Sequence, residues 1–98
     1  MSKSEESKNK IAGFQEQIDD GNVDKVIEEL DRYLQANCEN KDTLLYLRGN
    51  AYRKKQNWQE AMNNYQQAID INPDSPAVHA REMLINILNF YNKDLYNP

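Results

Sequence analysis

The stretch from Asp42 to Asp74 constrains the fold of this chain more than any other. Apolar and small residues recur in it at intervals of three and four, which indicates helix and not the strict alternation of a strand. The pattern breaks at Gln56 and Asn57 and closes at Pro73, so it predicts two amphipathic helices joined by a short turn. Small residues lie where the helices must approach closely, and aromatic residues fill the space beside them. The small residues are Gly49, Ala51, Ala61 and Ala68, and the aromatic ones are Tyr52, Trp58 and Tyr65.

The same stretch resembles a tetratricopeptide repeat (TPR), a helix–turn–helix unit of about 34 residues, as found in short bacterial TPR proteins. Gly49 and Tyr52 match the Gly-x-x-Tyr of the family's first helix, and Pro73 matches its closing proline. Arg48 departs from the usual leucine, and we expect its stem to cover apolar surface while its guanidinium reaches water. The remaining matches are Leu45, Asn57, Trp58, Ala61, Tyr65 and Ala68.

Residues 9–40 resemble a degenerate copy of this unit. Apolar spacing predicts helices at about 6–20 and 23–37, and Gly21 stands 35 residues before Gln56. The first helix lacks the Gly-x-x-Tyr signature, the loop is expected to be about one residue shorter, and Cys38 stands in place of the closing proline. Residues 1–8 are polar and are expected to form a frayed tail. The clear repeat covers 42–75, with helices at about 42–55 and 58–71.

A last helix is predicted over 76–91, opened by Ser75 as N-cap and Pro76 in the first position. No partner helix follows it, so it should cap the stack. Its polar stripe is narrow and the apolar surface around it is wide enough for two contacts. One contact is the preceding repeat, and the other is either the tail 92–98 folded back or another molecule. We predict a self-interface at Leu84, Ile87, Leu88 and Tyr91.

The whole chain, residues 1–98, is therefore predicted to form one all-α domain. The resemblance implies a right-handed TPR-like solenoid of five antiparallel helices, or about two and a half repeats. The helical patterns and the small number of glycines and prolines, three of each, leave little room for an all-β fold.

Composition excludes several classes of function. The net charge of −4 and the absence of a basic stripe argue against nucleic-acid binding. The single cysteine excludes an internal disulfide or a cysteine zinc site. No apolar segment suits a secretion signal or a membrane span, so we expect a soluble cytoplasmic protein. No catalytic, metal or phosphate-binding pattern stands out, and His79 is expected to be solvated. We therefore predict a protein without cofactor, metal or enzymatic activity.

The resemblance implies binding of a peptide or a partner helix in a concave groove lined by the first helix of each pair. Tyr46 offers an apolar face with a polar tip, Asn50 can bind a peptide backbone, and Arg53 can hold a carboxylate. Tyr46 replaces the lysine of family members that clamp a C-terminal carboxylate, which argues against that specificity. The predicted binding residues are Thr43, Tyr46, Asn50, Arg53 and Lys54.

Two alternatives stay open at this stage. In the first, Tyr46 only packs against the first or the fifth helix, and the cations Arg53, Lys54 and Lys55 pair with Glu16, Asp19 and Asp20 of the preceding pair, where surface pairs contribute little. In the second, the chain is a structural module that forms a homodimer through its last helix.

Overall fold

The computed structural model describes residues 3–36 and 39–91, and within them it contains five α-helices and no strand. Four of the helices agree with the predicted bounds to within a residue or so, whereas the first begins about three residues earlier than predicted. The predicted all-α repeat solenoid is confirmed. The helices are α1 (Lys3–Asp19), α2 (Val23–Ala36), α3 (Lys41–Lys54), α4 (Trp58–Ile71) and α5 (Ala77–Tyr91).

Helix α3 lies at the centre of the stack and contributes residues to two hydrophobic clusters. Leu44 and Leu47 belong to a cluster shared with α1 and α2, while Leu45 belongs to one shared with α4 and α5. Both clusters consist of buried apolar side chains, and such burial is the main favourable term in folding. The first cluster also contains Phe14, Ile18, Val23, Val26, Ile27, Leu30 and Ala51; the second also contains Ala61, Tyr65, Ala68, Ala77, Ala80 and Leu84.

The two helix pairs turn in the same way. Gly21 has a φ of 96° and Gln56, 35 residues later, has a φ of 66°, so both turns pass through the left-handed region. Asn22 N–H donates to the Gln17 carbonyl at 3.0 Å, and the corresponding bonds after α3 have the same pattern. This is the Schellman arrangement, which satisfies the last carbonyls of a helix. Three residues separate the helices in each pair, so the expectation of a shorter first loop was wrong.

Helix α4 begins where the sequence indicated. The Asn57 side chain accepts a hydrogen bond from the Glu60 N–H at 3.4 Å. Helix α5 is capped in the same manner, because the Ser75 hydroxyl accepts from the Ala77 N–H at 3.1 Å. Ser75 is buried at 3% exposure, so this cap satisfies a donor that water does not reach.

Helix α5 ends the stack among the described residues, and its side chains explain why. In α3, Arg48, Gly49 and Tyr52 lie on the side of the helix that faces α4. The residues 34 positions later, Glu82, Met83 and Asn86, are all exposed. Two of the three are polar, which suits a terminal helix whose outer side meets solvent.

Candidate partner-binding groove

A concave cleft of ≈ 360 Å³ lies between α1, α3 and α5. Its position is the one expected for a groove formed by the first helix of each pair. Of the predicted binding residues it contains Tyr46, Asn50 and Arg53; Thr43 and Lys54 lie on α3 but do not line it. The lining residues are Gln15, Tyr46, Leu47, Asn50, Arg53, Pro76, His79, Ala80 and Met83.

Tyr46 is half-buried in the wall of this cleft. Its ring centroid is 6.2 Å from that of Tyr65, with the two planes inclined by 37°. The contact fixes the Tyr46 ring against α4, at a spacing typical of aromatic pairs.

Asn50 lies on the floor of the cleft and is buried at 7% exposure. Its Oδ1 accepts a hydrogen bond from the Tyr65 hydroxyl at 2.6 Å, and its Nδ2 donates to Gln15 Oε1 at 2.9 Å. Gln15 in turn donates to Asp19 Oδ1 at 3.0 Å. The amide therefore ties α1, α3 and α4 together. The predicted contact between Asn50 and a peptide backbone would therefore use the second Nδ2 hydrogen or the second lone pair of Oδ1.

Tyr65 is completely buried beneath this network. Burial raises the pKa of its hydroxyl to about 12, because the apolar surroundings disfavour the phenolate, while the positive charge of Arg53 acts in the opposite direction. The hydroxyl thus remains a neutral donor to Asn50 throughout the physiological pH range.

The cations at the end of α3 do not have the partners that the ion-pair alternative gave them. Lys55 Nζ lies 2.7 Å from Asp24 Oδ1 and not beside Glu16, Asp19 or Asp20. The bond from Lys55 to Asp24 raises the pKa of the Lys55 ammonium. Among the described residues, Arg53 and Lys54 form no ion pair within 4.0 Å.

The charge of the cleft is opposite to that of the chain. Arg53 is half-buried and lines the cleft, and none of the described side chains that line it is a carboxylate. The chain as a whole carries −4. A half-buried cation without an ion-pair partner attracts anions more strongly than one in open water.

Arg48 forms a network that the sequence did not reveal. Its Nε lies 2.9 Å from Asp31 Oδ1 of α2, although the N–H is not directed at that oxygen. Its Nη1 donates to Asn64 Oδ1 of α4 at 3.1 Å, and its guanidinium lies 5.2 Å from the Tyr52 ring centroid. The side chain keeps 23% of its surface exposed, as expected, but its guanidinium is also held between two helices. The only sequence signal was a cation at a position usually taken by leucine.

Arg48 also lines a second cleft, of ≈ 630 Å³, between α2 and α4. Asp31 and Asp70 lie on its walls together with Lys41, so its charges are mixed. Ile71 is exposed at its edge, at 52%. This cleft lacks the uniform charge and the fixed aromatic face of the concave one.

Helix α5 places the predicted self-interface residues in different environments. Leu84 is fully buried in the cluster with α4, and Leu88 is half-buried against it. Ile87 is exposed at 36%, while the side chain of Tyr91 lies outside the described part of the structure. Two residues absent from the prediction, Met83 and Phe90, are exposed at 44% and 76%.

The described residues test only some of the remaining sequence predictions. His79 is exposed, as expected, and it lines the concave cleft. Cys38 and the tail 92–98 lie outside the described residues. Over residues 3–36 and 39–91, no group of three or more His, Cys, Asp or Glu side chains is suited to hold a metal ion. None of the helices described is both long and apolar enough to cross a membrane.

Comparison with known proteins agrees with this architecture. A family model described as TPR repeat matches residues 49–81, which run from the middle of α3 into α5. The solution NMR structure of the Bacteroides fragilis protein BF1650 is 50% identical in sequence and superposes with a TM-score of 0.81. The similarity covers 89% of this chain and 88% of that one. No curated protein matches the chain.

Proposed function

The chain belongs to the tetratricopeptide repeat family, whose repeats generally mediate protein–protein interaction without catalysis, and from this premise we propose that it is a small adaptor. Its ligand is an acidic peptide segment or partner helix bound in the concave cleft. Fold alone does not establish function. The proposal therefore depends on the residues of the cleft.

The position of Arg53 carries this proposal. The side chain is half-buried in a cleft whose described lining contains no carboxylate, although the chain has 16 acidic residues against 12 basic ones. The neighbouring Lys55 shows that a nearby acid is readily engaged, since it pairs with Asp24. Arginine binds carboxylates through two parallel hydrogen bonds, so a ligand carboxylate would complete the site.

The other residues of the cleft define the rest of the ligand. Tyr46 supplies a fixed aromatic face, and Leu47, Ala80 and Met83 supply an apolar lining. Lys54 is exposed beside the cleft and extends the positive potential along α3. Thr43 continues the same helix face one turn earlier, and Asn50 holds the floor in shape. An acidic residue flanked by apolar ones fits this surface.

Selection from a phage library of random decapeptides tests the proposal. We expect the wild-type protein to enrich peptides with Asp or Glu beside apolar residues. The double variant Tyr46→Ala/Arg53→Glu should lose this enrichment and retain its far-UV circular dichroism. Arg32→Glu is the matched control, because Arg32 is exposed on α2, away from the cleft. Equal enrichment by wild type and double variant would refute groove binding, and lost helicity in the double variant would assign these residues to the fold.

A second candidate function is self-association through α5. The exposure of Met83, Ile87 and Phe90 favours it, since large apolar side chains in a row mark interaction surfaces. Light scattering over a concentration series measures it directly. Ile87→Asp should keep the chain monomeric, whereas Ile71→Asp, the same change at an exposed residue of α4, should leave association unchanged. A mass that stays monomeric in the wild type at millimolar concentration excludes this function.

A further inference from the structure

Two basic side chains line the concave cleft from different helices. The Arg53 guanidinium belongs to α3, and the His79 imidazole belongs to α5. Among the described residues, no carboxylate lies within 4.0 Å of either group. Arginine is charged at every physiological pH, whereas histidine gains its charge as the pH falls from 8 to 5. The positive charge of the cleft therefore has one fixed part and one part that depends on pH.

The described groups around His79 do not neutralise a charged imidazole. Helix α3 adds Tyr46 and the guanidinium to the lining, and neither is an acid that is ionised near neutral pH. Helix α1 adds Gln15, which binds Asp19, and this carboxylate does not line the cleft. On α5 itself, Glu82 follows one turn later and also lies outside the lining. None of the described lining residues comes from α2 or α4.

The size of the cleft suits a single acidic side chain between the two basic groups. At ≈ 360 Å³ it lies at the low end of the range for ligand pockets, so it takes a few residues of a peptide and not a long segment. A carboxylate has two oxygens with about four lone pairs. It can accept two bonds from a guanidinium and a further one from an imidazolium. One Asp or Glu of the ligand therefore satisfies both groups.

We propose that His79 is a second anchor for the ligand carboxylate that Arg53 binds, and that the acidic peptide therefore binds more tightly as the pH falls. The inference rests on the proposed function, because it assigns a further contact to the same ligand. The carboxylate then joins α3 to α5 across the cleft. Because His79 is exposed, its contribution is that of a surface ion pair, about threefold in affinity. By linkage, the bound ligand favours the charged imidazole by the same factor.

Fluorescence anisotropy with a labelled peptide tests the second anchor. The probe is a decapeptide with blocked termini and one glutamate between two leucines, with serine elsewhere, so it offers a single carboxylate that stays ionised at about pH 5.5. We expect the full-length wild type to bind it about threefold more tightly at about pH 5.5 than at about pH 7.5. His79→Gln should bind at both pH values with the weaker affinity, and His79→Arg with the tighter one. Since the chain has one histidine, no second imidazole can produce the difference.

Glu82→Gln is the matched control, because it changes the charge of α5 one turn away from His79 and outside the cleft lining. This variant should keep the pH dependence of the wild type. Equal affinity of the wild type at both pH values overturns the second anchor, as does a pH dependence that persists in His79→Gln or disappears in Glu82→Gln. In each of these cases the peptide still binds, and the groove function stands. A peptide that binds the wild type at neither pH counts against the groove function itself, and the second anchor fails with it.

Discussion

The two helix pairs have turns of the same geometry, but they carry their most deeply buried aromatic residue on opposite helices. In α1–α2 the large aromatic residue comes from the first helix, where Phe14 is 1% exposed. In α3–α4 it comes from the second helix, where Tyr65 is 0% exposed. Gly49 stands 35 positions after Phe14, and Leu30 stands 35 positions before Tyr65. A helix pair of this kind therefore accepts the large residue on either helix, provided that a smaller residue faces it.

The two solutions differ in what they require. A Cβ atom on Gly49 would lie 2.5 Å from the Tyr65 ring, so the second pair depends on glycine at that position. It also buries a hydroxyl, which needs Asn50 as its acceptor. The first pair joins Phe14 to Tyr33 edge to face at 5.8 Å within an apolar cluster. Apolar packing tolerates many residue combinations, which is why the first pair carries so little of the family signature.

The largest effect is expected from Phe14→Ala, which removes the ring at the centre of the first pair. A cavity of this size costs about 4 kcal/mol of unfolding free energy, measurable by urea denaturation. Phe90→Ala is the matched control; Phe90 is 76% exposed, so the change should stay within about 0.5 kcal/mol. A loss below about 1 kcal/mol for Phe14→Ala would show that the first pair is not held by this ring.

Gly49→Ala tests the close approach of the two helices in the second pair. The added methyl group collides with Tyr65, and overpacking of this kind costs about 3 kcal/mol. Gly13→Ala is the control, since no atom lies within 4 Å of a Cβ built there and the residue is inside α1. That change should stabilise the protein by about 0.5 kcal/mol. If both glycines respond alike in urea denaturation, close approach does not distinguish the pairs.

Alkaline pH should weaken the second pair through Tyr65. The pKa of Tyr65 is about 12 in the folded protein, against about 10 in an unfolded chain. The unfolded state therefore releases this proton first, and stability is full below pH 10 and falls by about 1.4 kcal/mol per unit up to about pH 12. Urea denaturation at several pH values measures the slope. Tyr65→Phe should remove this contribution, and a slope that persists in that variant would assign it to other groups.

The smallest effect concerns the turns that the two pairs share. Left-handed φ suits glycine, so Gly21→Gln should destabilise the protein by about 1 kcal/mol. Gln56→Gly should stabilise it by a similar or smaller amount, because glycine also increases the freedom of the unfolded chain. Thermal unfolding of the two single variants measures both shifts. Shifts of the same sign would show that the turns are not equivalent.

The fold was largely predictable because its signals are local. Helical spacing, the Asn57 cap and the Ser75 cap each depend on residues a few positions apart. The roles of Arg48 and Asn50 were not predictable in the same way. Each of these side chains reaches residues of other helices, and periodicity within one helix does not show which neighbours it will meet.

Helix α5 shows the same limit. Apolar residues cover most of its surface in the sequence, so pattern alone could not decide which part packs on α4. The structure buries Ala77 and Leu84 and leaves Met83 and Phe90 exposed. Small residues determine which side of α5 packs inward, because Ala77 and Ala80 let α5 come close to the preceding helices. In the groove, Tyr46 and Arg53 were predicted to lie together and do so, while the binding role remains a prediction.

Arg48 has a consequence for how the chain opens. Stacks of repeats approximate a row of units that unfold one after another, each held only by its neighbours. One arginine of α3 here joins α2 of the first pair to α4 of the second, through Asp31 and Asn64. Fraying of the first pair takes Asp31 from this half-buried cation, and fraying of α4 takes Asn64 from it. Amide hydrogens of α2 and α4 should then exchange at one common free energy, as a single cooperative block.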